Sequence, residues 1–237
     1  MGNKNKKLSN VLHFDRKQEK KSHTFSSKQK KENETIIKLM LRALKVKDEY
    51  TYGHSVRVAH FSIITGAEMN LSSREMYDLE LSALFHDLGK IGVPEQVLNK
   101  PSRLDEDEFN TMKLHPEQSY EILEGIPFFS DIAKFARHHH ERYDGRGYPS
   151  KLKGDDIPLA SRIILVADTF DAMTSTRAYR KGLPYQVAYD ELMEFSGSQF
   201  DPTIVKHFIS AMKKEELKAN KTFSLSLLSG DFDKEAA

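Results

Sequence analysis

From Asn33 onward, apolar residues recur at the spacing of one helix face. The segment ETIIKLMLRALKV sets Ile36, Ile37, Met40, Leu41 and Leu44 three and four residues apart, which predicts an amphipathic helix. SVRVAHFSIITGAEMN repeats the pattern at Val56, Val58, Ala59, Ile63 and Ile64. SSREMYDLELSALFHDLG opens on an N-cap serine with an acid in the first turn and stops near Gly89, read as a C′ glycine. DEDEFNTMKLH breaks at Pro116, whose fixed φ suits the first turn of the next helix, PEQSYEILEGI. DIAKFARHHH, LASRIILVADTFDAM, YQVAYDELMEF and DPTIVKHFISAMKK read as further helices. Residues 163–167 have local strand propensity, but the helical period continues through them. Alternating runs joined by Asn-Gly or Asp-Gly turns do not occur elsewhere, so the pattern specifies an all-α fold. Near the C-terminus, FSLSLLSG fits neither period.

Composition changes the picture mainly at the ends. Residues 1–32 hold ten Lys/Arg against Asp15, Glu19 and Glu32, and little apolar periodicity. Of the chain's 36 basic and 35 acidic residues, this leaves 26 and 32 for the rest, a net of −6. The expected organisation is a basic, largely disordered arm at 1–32, a helical domain at 33–215, and a polar tail at 216–237. The arm is either a solvating tail or an electrostatic contact for anionic membrane, nucleic acid or a partner. There is no cysteine, which excludes disulfides and thiolate metal sites and is compatible with a cytoplasmic protein. No apolar run is long enough to cross a bilayer. The N-terminus lacks the apolar stretch of a secretory signal, and Lys6 stands where a myristoylation signal needs Ser or Thr.

The candidate chemistry lies in histidine and aspartate. Seven of ten histidines fall between His54 and His140. His86 and Asp87 are adjacent. Neighbours on a helix diverge by about 100°, so both can grip one ion only at a helix end. His54, His115 and the run His138 to His140 also sit near predicted helix ends. Asp168 lies on an apolar helix, where an acid is costly unless paired or metal-bound. Each alone is more simply a hydrogen-bonded or ion-paired residue. Together, His54, His86, Asp87, His115, His139, His140 and Asp168 suit first-row divalent ions. They are too many for one ion and fit two sharing a carboxylate, a common device for phosphoester hydrolysis.

These residues also carry a resemblance. HDLGK followed by HHHERYDGRGYP resembles the HD-GYP domain, a branch of the HD metal-dependent phosphohydrolases. YTYGHSVRV, HPEQSYEIL, VADTFDAMTSTRAYR and SQFDPTIVKHF match its other motifs in order, across roughly residues 34–213. The resemblance implies an HD-superfamily helical bundle with a dinuclear metal centre. One metal would be held by His54, His86, Asp87 and Asp168, the other by Asp87, His115, His139 and His140, with Asp87 bridging. Iron or manganese is implied first, then cobalt, nickel or zinc. His138 falls outside the matched pattern. Three-metal members carry a glutamate where this chain has Tyr50, so two metals are expected.

The implied reaction is hydrolysis of cyclic di-GMP to linear pGpG, or onward to GMP, by a metal-bridging hydroxide. Lys90, in the HDLGK turn, would stabilise the developing oxyanion or the leaving group. On its own it reads as a helix-terminal lysine complementing the dipole. Arg177 and Arg180 would clamp phosphate. Gly147 would allow close backbone approach to the ligand, and Tyr148 would offer a ring to guanine or ribose. The Gly-Tyr-Pro loop would also contact diguanylate cyclase (GGDEF) proteins. The rivals are an HD enzyme for another cyclic dinucleotide such as 3′,3′-cyclic GMP-AMP, a non-catalytic cyclic di-GMP sensor or scaffold, and a nucleic-acid protein working through its basic arm.

Overall fold

A computed structural model describes residues 27–176 and 181–219 of the 237-residue chain. Ten α-helices follow one another, and no strand forms among the described residues: α1 (Ser27–Lys47), α2 (Glu49–Glu68), α3 (Ser73–Phe85), α4 (Glu95–Leu98), α5 (Glu106–Met112), α6 (His115–Glu124), α7 (Ser130–Arg137), α8 (Leu159–Thr174), α9 (Tyr185–Glu194) and α10 (Pro202–Ala219). The all-α expectation holds, and the segment with strand propensity is the middle of α8. Helix α1 begins six residues inside the segment expected to be an arm, and α10 runs four residues past 215. FSLSLLSG and the remainder of the basic arm lie outside the described residues.

Local signals set the helix ends. Ser72 and Glu75 form a reciprocal capping box at the start of α3, and Asp105 and Glu108 form another at α5. Asp48 caps α2 through the Tyr50 amide. Helices α2, α3 and α8 form the centre, with α10 against α2 and α8, and α6 and α7 closing the far side. The core is apolar and aromatic. Phe170 of α8 meets Phe61 of α2 at 5.3 Å and Phe208 of α10 at 5.0 Å, both edge-on. Phe85, at the end of α3, packs edge-on against Phe129 at 5.6 Å. This core fixes the ends of α3 and α7 and the middle of α8, the places where the histidines and aspartates emerge.

Gly89 has a different purpose from the one its position suggests. Helix α3 stops at Phe85, and residues 88–92 form a 3₁₀ turn in which Gly89 does not adopt a positive φ. A Cβ there would stand 2.1 Å from the His115 carbonyl oxygen and 2.6 Å from the Ser119 amide. Glycine is required because the backbone of α6 passes against it, not because it caps a helix.

Candidate metal centre

His54 projects from the first turns of α2. His86 and Asp87 follow α3, His115 opens α6, and Asp168 comes from the middle of α8. His139 and His140 lie in a turn just past α7 and not on it. Leaving the helix lets two consecutive imidazoles face one place, their rings 4.0 Å apart.

These side chains converge in two groups around Asp87. In one, His86 Nε2 lies 3.2 Å from Asp87 Oδ2, and His54 Nε2 lies 3.6 Å from that oxygen and 3.0 Å from Asp168 Oδ1. In the other, His115 Nε2 lies 3.2 Å from Asp87 Oδ1, 3.3 Å from His139 Nε2 and 3.2 Å from His140 Nε2. Asp87 thus turns one oxygen to each group. The seven expected ligands come together. His138 stays outside, its Nδ1 against the Lys134 carbonyl at 2.9 Å. Exposed Tyr50 lies on the first turn of α2.

The donor set fits a cation. His86, His115 and His139 each place Nδ1 2.6–2.7 Å from the carbonyl oxygen three residues back, Ala83, Met112 and Ala136. A carbonyl can only accept, so each Nδ1 carries the proton and each Nε2 keeps its lone pair. His86 Nε2 is buried with no hydrogen-bond partner, and the Nε2 atoms of His115 and His139 meet lone pair to lone pair. Such nitrogens are costly without something positive between them. Separations of 3.0–3.3 Å match the edges expected between ligands bound at about 2.1 Å to one ion.

Charge is arranged to suit. Burial pushes His115 down to about 3, against the pull of Asp87 and with lesser help from neighbouring His140 and Lys90. Burial pushes His140 down to about 4 and His139 well below the usual histidine range. Asp87 is buried, which opposes its charge, yet His86, Lys90 and His115 hold it well below the usual carboxylate range. Asp168 is likewise held low, against burial, by His54, His86 and His140. His54 runs the other way: burial lowers it, but Asp168, Asp171 and Asp87 outweigh this and bring it to about 9. Lys90 donates to Asp87 Oδ2 at 2.6 Å, so it belongs to the site and is more than a helix-end charge.

The loop after the histidines is stitched to the protein. Glu141, fully buried, accepts hydrogen bonds from the amides of Ser150 at 2.5 Å and Leu152 at 3.1 Å. Tyr143 and Asp144 donate their amides to the Gln199 and Ser198 carbonyls. Tyr148 stacks on the His140 ring at 4.8 Å. A Cβ on Gly147 would stand 2.3 Å from the Arg142 amide and 2.5 Å from Glu141 Cα. The close approach seen at this glycine is to its own chain. Gly145 takes a positive φ of 81°, as a tight turn requires. Arg177 and Arg180 lie outside the described residues.

Sequence reasoning missed three supporting residues. Asp171 takes the His54 Nδ1 hydrogen at 2.7 Å, and Arg57 grips the same carboxylate. Ser119 accepts from the Gly89 amide at 2.8 Å and donates to the His86 carbonyl at 2.9 Å, tying α6 to the His86–Asp87 corner. A signal for the first two existed: Arg57 follows His54, and Asp171 follows Asp168, by one helical turn.

The profile of the HD domain matches residues 38–204. The chain belongs to the HD domain family. Among curated HD relatives, it is 41% identical over 179 residues to the cyclic di-GMP phosphodiesterase response regulator RpfG of Xanthomonas campestris pv. campestris, covering 75% of this chain and 47% of that protein. It is 37% identical over 169 residues to the 3′3′-cGAMP-specific phosphodiesterase 3 of Vibrio cholerae, covering 71% of this chain and 37% of that one. The chain thus spans about half or less of the length of these relatives. These relatives agree with membership of the HD-GYP branch. The fold resembles the crystal structure of the V. cholerae cyclic GMP-AMP phosphodiesterase V-cGAP3, with a TM-score of 0.60 at 21% identity over 79% of this chain and 50% of that one. An HDG"Y"P protein from Bdellovibrio bacteriovorus, Bd1817, gives 0.58 at 20% identity over 68% of this chain and 52% of that one. No described helix is long and apolar enough to cross a membrane.

Proposed function

We propose that this HD-family chain is a phosphodiesterase that opens cyclic di-GMP to linear pGpG at a centre of two divalent ions. The reading rests above all on Asp87, whose two oxygens face two separate groups of Nε2 donors. His54, His86, Asp87 and Asp168 would hold one ion, and Asp87, His115, His139 and His140 the other. Iron or manganese is the expected metal. Bound there, the ions would supply Lewis-acid charge to the phosphate and lower the pKa of a water.

The chain's own residues do the rest. The carbonyls of Ala83, Met112 and Ala136 fix three imidazoles in the tautomer that presents a lone pair. Lys90, beside Asp87, presents a cation to the charge that develops as the phosphorus–ribose oxygen bond breaks. Tyr148, stacked on His140, offers an aromatic edge to a base or ribose. Arg177 and Arg180 complete the proposal as phosphate clamps. A cytoplasmic location and contact of the 141–149 loop with diguanylate cyclases go with it.

A second reading, hydrolysis of 3′,3′-cyclic GMP-AMP, is favoured by the V. cholerae relatives with that named specificity, 34–38% identical to this chain. One experiment addresses both. Metal content is measured on protein purified without chelator, and turnover of both dinucleotides is followed on the same sample. About two ions per chain with faster cyclic di-GMP cleavage supports the first reading. Faster cyclic GMP-AMP cleavage selects the second. Two ions without turnover of either points to a sensor.

A further inference from the structure

Three of the site's histidines are oriented from behind by their own backbone. His54 is not. Its Nδ1 lies 2.7 Å from Asp171 Oδ2, a carboxylate 117 residues away on α8. Asp171 is 1% exposed and all its acceptor positions are filled. Oδ2 also receives Arg57 Nη2 at 3.0 Å, and Oδ1 receives Arg57 Nε at 2.6 Å and Ser175 Oγ at 2.9 Å.

The arrangement is a rectangle. Helix α2 contributes His54 and, one turn on, Arg57. Helix α8 contributes Asp168 and, one turn on, Asp171. The ligand pair and the supporting pair share the same two helices, so the support fixes the spacing of the ligands it serves. A carboxylate behind an imidazole also does more than a carbonyl. Its full negative charge favours electron donation from the far nitrogen, and outer partners of this kind commonly change metal affinity by about 10–100-fold.

We propose that Asp171, gripped by Arg57, is a positioning residue that orients His54 and makes the His54–His86–Asp87–Asp168 half the tighter of two unequal ion sites. This rests on the two-ion reading above. Asp171 touches neither ion nor substrate; it acts through His54.

The test is D171N, which keeps the shape and an acceptor for Nδ1 but removes the charge. The metal-free full chain, wild type and variant, is titrated with Mn²⁺ by calorimetry under chelator competition, and unfolding of the metal-free forms is followed by circular dichroism. The expected result is two classes of site in the wild type, with the tighter weakened about 10–100-fold in D171N and the weaker shifted less than about twofold. Asn leaves one acceptor oxygen where donors had filled two, so metal-free D171N should unfold at a somewhat lower temperature, and the selective loss at one class of ion site is what marks the positioning role. If D171N proves insoluble, R57K carries the test: it keeps the cation, breaks the two-point grip, and should weaken the tighter class by a smaller factor. Equal weakening of both classes with a lower metal-free unfolding temperature overturns the proposal in favour of a general packing role. Two ions bound as tightly by the variant as by the wild type overturn it while the two-ion reading stands. A wild-type chain that binds no Mn²⁺ sinks both.

Discussion

The two halves of the centre are built from similar parts and answer burial in opposite ways. In the His54–His86–Asp87–Asp168 half, carboxylates stand beside the imidazole, and His54 is lifted to about 9. In the His115–His139–His140 half, imidazole faces imidazole, and His115 and His140 fall to about 3 and 4. Both groups lie at the same depth, and what differs is the charge each imidazole meets. His54 therefore holds a proton more readily than His115 or His140. Asp87, shared between them, is what makes the halves one centre.

The strongest break in this comparison is Asp87→Ala. It removes the shared carboxylate, so both halves should lose their ions and turnover should fall by about a thousandfold or more, since several kcal/mol of charge stabilisation go with the metals. Elemental analysis and cyclic di-GMP turnover on one preparation decide it. A variant that still holds two ions removes the shared-carboxylate idea.

Lys90→Ala comes next. Its ammonium contacts Asp87 but is not among the ligands, so metal content should persist while kcat drops about a hundredfold. Loss of metal would make Lys90 a structural counter-ion. Gly89→Ala tests the seam between the halves instead of their charge. The new Cβ would collide with the His115 carbonyl oxygen at 2.1 Å, which is backbone and cannot swing aside. A loss of about 3 kcal/mol is expected in urea unfolding. An unchanged midpoint would mean that α6 can move away from the His86–Asp87 corner.

The smallest effect sharpens the comparison outside the centre. Glu80, on α3, is raised to about 7 by burial alone, whereas buried Asp87 is held low by its cationic neighbours. A carboxyl raised in the fold contributes most below its unfolded value and loses that contribution as pH rises through about 7. Glu80→Gln should therefore stabilise the chain at pH 8 and leave it nearly unchanged at pH 4. Equal effects at both pH values would show that burial is not what shifts it.

Most helices, and the convergence of the seven histidine and aspartate side chains, were legible because their signals are local. Apolar spacing marks the longer helices, though not the four-residue α4, and histidines at helix ends advertise convergence. The supports were legible only in part: the one-turn spacing of Arg57 from His54 and of Asp171 from Asp168 is visible, but not the pairing between them. Nothing around Asp171 shows that its partners, His54 and Arg57, lie more than a hundred residues earlier. Gly89 and Gly147 look like turn residues in sequence. Their need for glycine comes from backbone passing close by, α6 in one case and residues 140–142 in the other. Glu141 sits in the matched pattern among ligands, yet its carboxylate is spent on the amides that close the next loop.

The scatter of the seven ligands along the chain has a consequence for how the molecule matures. No stretch shorter than the span from α2 to α8 contains a complete set for the first ion, and Asp168 is the last to be synthesised. A growing chain carries Asp87, His115, His139 and His140 before Asp168 appears, so of the two proposed ion sets the one that includes Asp168 is completed last, when α8 docks. An ion bound tightly there would mark finished folding, and scarcity of that metal would shorten the protein's lifetime as well as slow its reaction.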